Sequence, residues 1–252
     1  MSPASLDMTR SSARRIGVIS GTGVTEHFEV LDRKTVRTEY GPAVVYPARN
    51  GSYFVLPRHG MDHGIPPHMV NYRANIASLR KLGVREVIST TAVGSMNRRF
   101  RVGQLGLVDQ FIDFTSRRGG TFFDTSVRHV DVTSPYSRRL NGALLRAAAR
   151  TDIKLRSGLV YVCVEGPRFE TAAEIRMFQM LGGDIVGMTG VPEVVLAREA
   201  GLEYSSIAAA TNWAAGIQEK VSHEEVLGEM KRIGPKVKSL IVAAIRLLEG
   251  EG

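Results

Sequence analysis

The 252-residue chain contains a single cysteine, Cys163, and a single tryptophan. One thiol can form neither an internal disulfide framework nor a cysteine-based zinc site. No apolar run approaches the length of a membrane span, and the polar first fifteen residues lack the apolar centre of a secretory signal. We therefore expect a cytoplasmic protein with no membrane association, in which Cys163 is a core residue.

The chain also lacks a linker, a low-complexity segment and an internal repeat. Its length is sufficient for one domain with a sizeable core. The hydrophobic share of 43% and the charged share of 23% are typical of globular proteins. We predict a disordered N-terminal extension over residues 1–15 and one domain over residues 16–252.

The chain is basic, with a net charge of +8. Such a charge occurs in nucleic-acid-binding proteins, but there the cations usually form one stripe or patch. Here they lie in scattered pairs, at Arg14-Arg15, Arg98-Arg99, Arg117-Arg118 and Arg138-Arg139. We favour an ordinary basic surface and predict no nucleic-acid partner. A nucleic-acid-binding protein remains an alternative, and its mark would be binding that weakens steeply with salt.

Strand-like and helix-like stretches alternate along the chain. Apolar runs predict strands at Ile16–Ile19, Val44–Tyr46, Tyr53–Leu56, Glu86–Thr91, Leu159–Val164, Ile185–Met188 and Ser205–Ala210. Helices are predicted at Val70–Leu82, Arg138–Arg150, Thr171–Leu181, Glu193–Ala200 and from Ser222 to about Leu248. The alternation predicts a single α/β domain with a central mixed, largely parallel sheet flanked by helices. A ligand site is expected at the carboxyl ends of its strands.

Four segments that follow predicted strands are rich in glycine, hydroxyl or basic side chains. They are Ser20–Gly23, Pro57–Gly60, Thr90–Ser95 and Met188–Gly190. Glycines let the backbone approach an anion closely, and backbone amides, hydroxyls and arginine can donate to it. The spacings of a dinucleotide fingerprint and of a Walker loop are both absent. The segments therefore favour an anion pocket, and no metal-ligand cluster accompanies them.

Longer motifs surround these segments: Gly21-Thr22-Gly23, Pro57-Arg58-His59-Gly60, Val70-Asn71-Tyr72-Arg73-Ala74-Asn75, Glu165-Gly166-Pro167-Arg168-Phe169 and Gly187-Met188-Thr189-Gly190-Val191-Pro192-Glu193. They resemble the methylthioadenosine phosphorylase and purine nucleoside phosphorylase family, from about Ile16 to Leu248. The resemblance implies a nucleoside phosphorylase fold that assembles as a homotrimer, with active sites near subunit interfaces. It also implies a purine nucleoside and inorganic phosphate as substrates, with no metal or organic cofactor.

The resemblance assigns roles to individual residues. Its phosphate-binding positions match Thr22, Arg58, His59, Thr91 and Thr189, with Ala92 beside them. Met188 matches a residue that packs under the ribose, and Phe169 matches an aromatic residue that lies against the purine. His129 matches more loosely a residue that reaches the 5′ pocket of a neighbouring subunit.

The segment Thr211-Asn212-Trp213-Ala214 bears on which purine is used. Family members acting on 6-aminopurines carry an Asp-x-Asp here, whose carboxylates accept from the adenine amino group. Asn212 offers both a donor and an acceptor, so it can donate to O6 and interact with N7 of hypoxanthine or guanine. We assign Asn212 and His59 as catalytic, and we include Ala214 among the substrate-binding residues.

Two further positions favour the 6-oxopurines inosine and guanosine. Glu170 resembles a glutamate that accepts from the N1–H of these bases, whereas the bare N1 of adenine would be repelled by a carboxylate. His223 resembles a histidine that bonds the ribose 5′-hydroxyl, where methylthio-specific members carry an apolar residue. Methylthioinosine or methylthioadenosine phosphorolysis stays open, because the backbone motifs are closer to the methylthio branch. A nucleotide-binding protein without catalysis is a further alternative.

Overall fold

The computed structural model describes residues 15–250; the other residues of the predicted N-terminal extension lie outside this range. Nine strands occur within it: β1 (Arg15–Ser20), β2 (Lys34–Thr38), β3 (Gly41–Pro47), β4 (Tyr53–Pro57), β5 (Val84–Ser95), β6 (Leu105–Phe114), β7 (Leu155–Val164), β8 (Ile185–Gly187) and β9 (Glu203–Trp213). Its α-helices are α1 (Tyr72–Lys81), α2 (Arg138–Arg150), α3 (Ala172–Met180), α4 (Gly190–Glu199) and α5 (His223–Glu249).

The strands form one mixed sheet in the order β2-β3-β4-β1-β5-β8-β7-β6-β9, and β9 also pairs with β5. The strands β5, β8, β7, β6 and β9 therefore close into a ring, from which the remaining four extend as an open sheet. Pairing is parallel between β1 and β4, β1 and β5, β5 and β9, β6 and β7, and β7 and β8. The other pairings are antiparallel. The predicted α/β fold with a central mixed sheet is confirmed.

Hydrophobic cores cover both faces of the sheet, because successive strand residues point to opposite sides. In β1, Val18 packs in the core that α2 and α5 cover, whereas Ile19 packs in the core shared with α1 and α4. Both side chains are fully buried. No helix among residues 15–250 combines the length and the apolar character that crossing a membrane would require.

The helices begin where the chain supplies side-chain caps. The predicted capping box of α3 is confirmed, with the Thr171 hydroxyl and the Glu174 carboxylate each accepting from the other's backbone amide. Helix α1 starts two residues later than predicted, because Asn71 Oδ1 caps it by accepting from Ala74 N at 3.0 Å. At α5 the Ser222 hydroxyl accepts from the amide of Glu225, whose carboxylate accepts from the Gln218 amide instead of completing the box.

Some strand boundaries differ from the prediction in ways that matter for the site. The strand predicted at Glu86–Thr91 continues through residues 92–95, which are predicted as a loop, and this end of β5 is held by pairing to β9 and β8. Asn212 likewise lies within β9, beside a register irregularity between Val93 and Gly94 of β5. Strands β2 and β6 are not predicted, because their sequences mix charged residues into the apolar pattern.

Candidate active site

A cavity of about 280 Å³ opens where β1, β4, β5, β8, β9 and the first turn of α5 meet. The size suits a small organic ligand. Most of the residues singled out from the sequence line it: Thr22, Arg58, His59, Thr91, Ala92, Phe169, Glu170, Met188, Thr189, Asn212 and His223. Residues from seven separate segments of the chain are thus brought together by the sheet topology.

Two of the predicted residues are not among those that line the cavity. Ala214, expected to bind substrate, is buried behind Gly94; a Cβ built on Gly94 would lie 3.5 Å from the Cα of Ala214. Ala214 therefore supports the wall of the cavity, and the glycine in front of it leaves room for Asn212, whose Nδ2 would lie 3.2 Å from that same Cβ. His129 is exposed on the segment between β6 and α2.

Arg58 is fully buried and is held by four hydrogen bonds. Its Nε and Nη2 donate to the two carboxylate oxygens of Glu193, each at 2.7 Å. Nη1 donates to Thr90 O and Nη2 to Ser89 Oγ, both at 2.8 Å. Burial opposes the charge of Arg58, but the Glu193 carboxylate raises its pKa above the ordinary value. Arg58 therefore stays charged and paired.

One N–H of the five on Arg58 is left over after these bonds. It belongs to Nη1, which lies beside Gly21 at the cavity wall; a Cβ on Gly21 would come within 3.2 Å of Nη1 and 2.9 Å of Thr90 O. Gly21 is thus needed for the close approach of β1, β4 and β5. Arg58 can offer a ligand a single N–H, and it acts otherwise as the anchor of Glu193.

His59 has a fixed tautomer, because its Nδ1 lies 2.8 Å from the carbonyl oxygen of Ile65, which can only accept. Nδ1 therefore carries the proton, and Nε2 is an acceptor in the neutral ring. Burial, reinforced by the charge of Arg58, lowers the pKa of His59 to about 4. At neutral pH His59 is uncharged, and it suits an oxyanion that still carries a proton.

Glu170 and Asn212 are the polar pair expected to form hydrogen bonds with the purine base. Burial raises the pKa of the Glu170 carboxyl above its ordinary value. The nearby Arg168 does not compensate Glu170 directly, since its guanidinium forms a bidentate pair with Glu174 at 2.9 and 2.7 Å. The carboxylate of Glu170 is therefore a strong acceptor for an N–H group of a ligand.

Asn212 is oriented by its neighbours along β9. Its Oδ1 accepts from Thr211 Oγ1 at 2.9 Å, and its Nδ2 donates to Trp213 O at 2.9 Å. One N–H and one acceptor position remain on the amide, and Asn212 is almost fully buried at the cavity. A ligand can therefore receive one hydrogen bond from Asn212 and donate another.

Met188 and His223 complete the lining from two other segments. Met188 is packed against Gly166, whose φ of 66° and lack of a side chain allow the approach; a Cβ there would lie 2.6 Å from the Met188 Sδ. His223 is the first residue of α5, and Val226 lies one turn further along the same cavity wall. This wall therefore combines a polar group with an apolar one.

Several lining residues were not singled out from the sequence: His63, Ile65, Pro66 and Pro67 of the segment after β4, and Val226 of α5. The sequence did contain a signal for the segment after β4, because Gly60 and Gly64 lie on either side of a tight turn that brings the chain back over His59. His63 has a φ of 55°, a left-handed backbone that residues other than glycine rarely adopt. Such strain is often found at ligand sites.

The arrangement is suited to binding a small anion next to a heterocycle. Thr22, Arg58, Thr91 and Thr189 bring hydroxyl and guanidinium donors from four segments to a cavity that an uncharged histidine also lines, and an aromatic ring, a carboxylate and an amide complete it. Within residues 15–250, no group of three or more histidine, cysteine, aspartate and glutamate side chains is arranged to hold a metal ion.

The sequence matches the Phosphorylase superfamily over residues 15–246. It is similar to a probable 6-oxopurine nucleoside phosphorylase of Moorella thermoacetica, with 50% identity over 242 residues and 92% of each chain covered. It is 44% identical over 249 residues to the 6-oxopurine nucleoside phosphorylase of Pyrococcus furiosus, with 94% of each chain covered. A probable S-methyl-5′-thioinosine phosphorylase of Methanopyrus kandleri is 46% identical over 237 residues, with 92% of each chain covered.

The fold is similar to solved structures of methylthioadenosine phosphorylase from Schistosoma mansoni. For its complex with adenine the TM-score is 0.89 at 31% identity, with 95% of this chain and 93% of that chain covered. All residues that line the cavity fall inside the matched range of the family.

Proposed function

The chain belongs to the phosphorylase superfamily, and from this premise we propose that it cleaves 6-oxopurine nucleosides, such as inosine and guanosine, with inorganic phosphate. The products are the free base and ribose 1-phosphate. The observation that carries the proposal is one cavity that combines the donors Thr22, Thr91 and Thr189 with the polar pair Glu170 and Asn212.

In the proposed reaction the C1′–N9 bond breaks, its electron pair passes into the purine, and a phosphate oxygen forms a new bond to C1′. Positive charge develops on the ribose as the bond loosens, and the bound phosphate dianion stabilises it before attacking. Asn212 donates a hydrogen bond to the purine as negative charge develops there. The purine anion becomes the free base by taking up a proton, and the phosphate ester loses the proton that the dianion carried. No protein nucleophile is required, because the rate comes from positioning and electrostatic stabilisation.

The ion pair between Arg58 and Glu193 shapes how phosphate would be held. The pair has no net charge and His59 is uncharged, so the site offers hydrogen-bond donors without a strong excess of positive charge. Phosphate would therefore keep much of its negative charge available for the ribose cation. Nε2 of the neutral His59 would accept a hydrogen bond from the single P–OH group of the phosphate dianion.

Preference for 6-oxopurines would come from the polar pair. A 6-oxopurine donates from N1–H, which a desolvated Glu170 carboxylate accepts, and its O6 accepts from the free N–H of Asn212. Adenine offers an acceptor at N1 and a donor at the 6-position, which leaves both groups wrongly paired. Mismatches of buried polar groups can discriminate strongly between substrates.

A second candidate is phosphorolysis of S-methyl-5′-thioinosine. The observation that favours it is the mixed character of the lining, in which the polar His223 is accompanied by the apolar Val226 and Ile65, which could pack a methylthio group. A relative that carries this activity in its name is 46% identical, which lies between the 50% and 44% of the two 6-oxopurine enzymes. His223 favours a 5′-hydroxyl, and we therefore place inosine and guanosine first.

We extend the proposal to the cellular location, the assembly and the cofactor requirement of the enzyme. We propose a cytoplasmic homotrimer that takes part in purine salvage and needs no cofactor besides phosphate as co-substrate. In a trimer the exposed His129 would approach the cavity of a neighbouring subunit. Sedimentation of the purified chain as a trimer would support this assembly, and a stable active monomer would count against it.

The proposal is tested by incubating the purified protein with inosine, with and without phosphate, and by measuring hypoxanthine and ribose 1-phosphate. Equal amounts of both products, formed only when phosphate is present, are expected. Free ribose in place of ribose 1-phosphate would indicate hydrolysis. An absence of turnover for inosine and guanosine, together with nucleotide binding, would favour a binding protein.

A further inference from the structure

Three consecutive backbone amides at the start of α4 are turned away from the cavity. Thr189 N and Gly190 N donate to the hydroxyl oxygen of Tyr161 at 3.1 and 3.2 Å, and Val191 N donates to the Cys163 sulfur at 3.4 Å. Tyr161 and Cys163 are alternate residues of β7, so their side chains lie on one face of that strand. Two side chains of one strand thus hold one short segment.

The ring of Tyr161 fits under this segment because two glycines make room for it. A Cβ on Gly187 would lie 2.7 Å from the tyrosine hydroxyl, and one on Gly190 would lie 2.8 Å from the ring carbon Cε1. Tyr161 and Cys163 are themselves fully buried. Burial raises the pKa of the Tyr161 hydroxyl well above its ordinary value, so it keeps its proton over the whole working range of pH.

The consequence concerns Thr189, which carries the first of these amides and lines the cavity next to Met188. Backbone amides just before a helix commonly bind anions directly, and the extended backbone of Val191, with φ of −119° and ψ of 135°, separates this segment from the regular turns of α4. Here the amides of residues 189–191 are already occupied, and the Thr189 side chain makes no capping bond to α4. The group that this segment can offer to an anion is therefore the Thr189 hydroxyl. Its position is fixed by Tyr161 and Cys163, which hold the backbone of the segment.

We propose that Tyr161, assisted by Cys163, is a positioning residue for the phosphate site and acts through the hydroxyl of Thr189. This inference rests on the proposed function, since it takes phosphate as the anion. Neither residue is among those that line the cavity. Without the tyrosine hydroxyl, two buried amides lose their acceptor, and the segment must shift to satisfy them.

The test is the Tyr161→Phe variant of the full chain, which removes the hydroxyl and keeps the ring. We expect inorganic phosphate to bind about tenfold more weakly by calorimetry, because one buried hydrogen-bonded group is lost. The KM for phosphate should rise by a similar factor, while the KM for inosine changes less than about twofold. Equal rises in both KM values, or unchanged phosphate binding, would overturn the proposal.

A double-mutant cycle separates positioning from general damage to the fold. Thr189→Val alone should weaken phosphate binding, and adding Tyr161→Phe should weaken it by less than about twofold more, because both act on one hydroxyl. Independent, multiplying effects would contradict the proposed route. Tyr53→Phe is the matched control, because Tyr53 is a buried tyrosine of β4 outside the cavity lining, and its phosphate binding should equal that of the wild type.

A second variant keeps the proposal falsifiable if Tyr161→Phe does not fold. Cys163→Ala removes the sulfur that accepts from Val191 N at 3.4 Å and donates to Val191 O at 3.6 Å. Both bonds involve sulfur and are weaker than those of the tyrosine hydroxyl, so we expect phosphate binding to weaken about threefold. Unchanged phosphate affinity in this variant would refute the proposal that β7 side chains position the Thr189 hydroxyl. The proposed function is judged separately on the wild-type protein: if it binds no phosphate, that function fails, whereas normal wild-type binding with unaffected variants refutes only the positioning role.

Discussion

Replacing the Glu170 carboxylate by an amide is the sharpest perturbation of substrate choice. The Glu170→Gln variant keeps the size of the side chain but loses the charged acceptor for the N1–H of a 6-oxopurine. A hydrogen bond to a charged group contributes about 1.5–3 kcal/mol. Since ~1.4 kcal/mol corresponds to a tenfold change, kcat/KM for inosine should fall roughly 10- to 100-fold.

The same variant should respond differently to other substrates and to pH. Adenosine, whose N1 can accept from the new amide, should be used no less well than by the wild type. In the wild type, Glu170 is a charged acceptor only when it is ionised, and burial raises its pKa. Its contribution is therefore complete above that raised pKa and is lost as the pH falls through it. The acid limb of the kcat/KM profile for inosine should thus be absent from Glu170→Gln.

Steady-state kinetics with inosine and adenosine, over a range of pH, measure these effects. Glu219→Gln is a suitable control, because it makes the same chemical change on an exposed residue outside the cavity lining. Parallel losses for inosine and adenosine in Glu170→Gln, or a retained acid limb, would refute the assignment of Glu170 to the base.

Other variants test the remaining parts of the site. Asn212→Asp should raise the ratio of kcat/KM for adenosine to that for inosine by about tenfold or more, because the new carboxylate accepts from a 6-amino group; an unchanged ratio would argue against contact with the base. His223→Val should lower kcat/KM for inosine by about tenfold and raise it for methylthioinosine, and equal effects on both would place His223 away from the 5′ position. Glu193→Gln leaves the charge of Arg58 buried without its partner and should reduce the free energy of unfolding by about 3 kcal/mol in urea titrations, whereas a loss below about 1 kcal/mol would show that the pair is not essential.

The parts of the fold that follow a simple periodic pattern could be predicted from the sequence. Strand β1 and helix α2 lie within one residue of their predicted bounds, because an apolar run and an alanine- and leucine-rich helix are local signals. The extension of β5 through residues 92–95 could not be predicted in this way. Those hydroxyl and glycine residues become a strand because β9 pairs alongside them, which is a contact distant in sequence.

The site shows the same division between local and distant information. Family motifs locate most of the residues that the cavity brings together, but they do not show how Arg58 and His59 are used. That Arg58 is paired with Glu193 depends on a contact across 135 positions of sequence. The tautomer of His59 depends on the carbonyl of Ile65, which reaches it only through the turn after Gly60.

The central claim is tested most directly by measuring kcat/KM in phosphate for inosine, guanosine, S-methyl-5′-thioinosine, S-methyl-5′-thioadenosine and adenosine with one preparation of the protein. We predict that the 6-oxopurine nucleosides exceed their 6-aminopurine counterparts by at least about 100-fold, as expected when a mismatch leaves buried polar groups unpaired. Preferential cleavage of methylthioadenosine or adenosine would contradict the roles of Glu170 and Asn212.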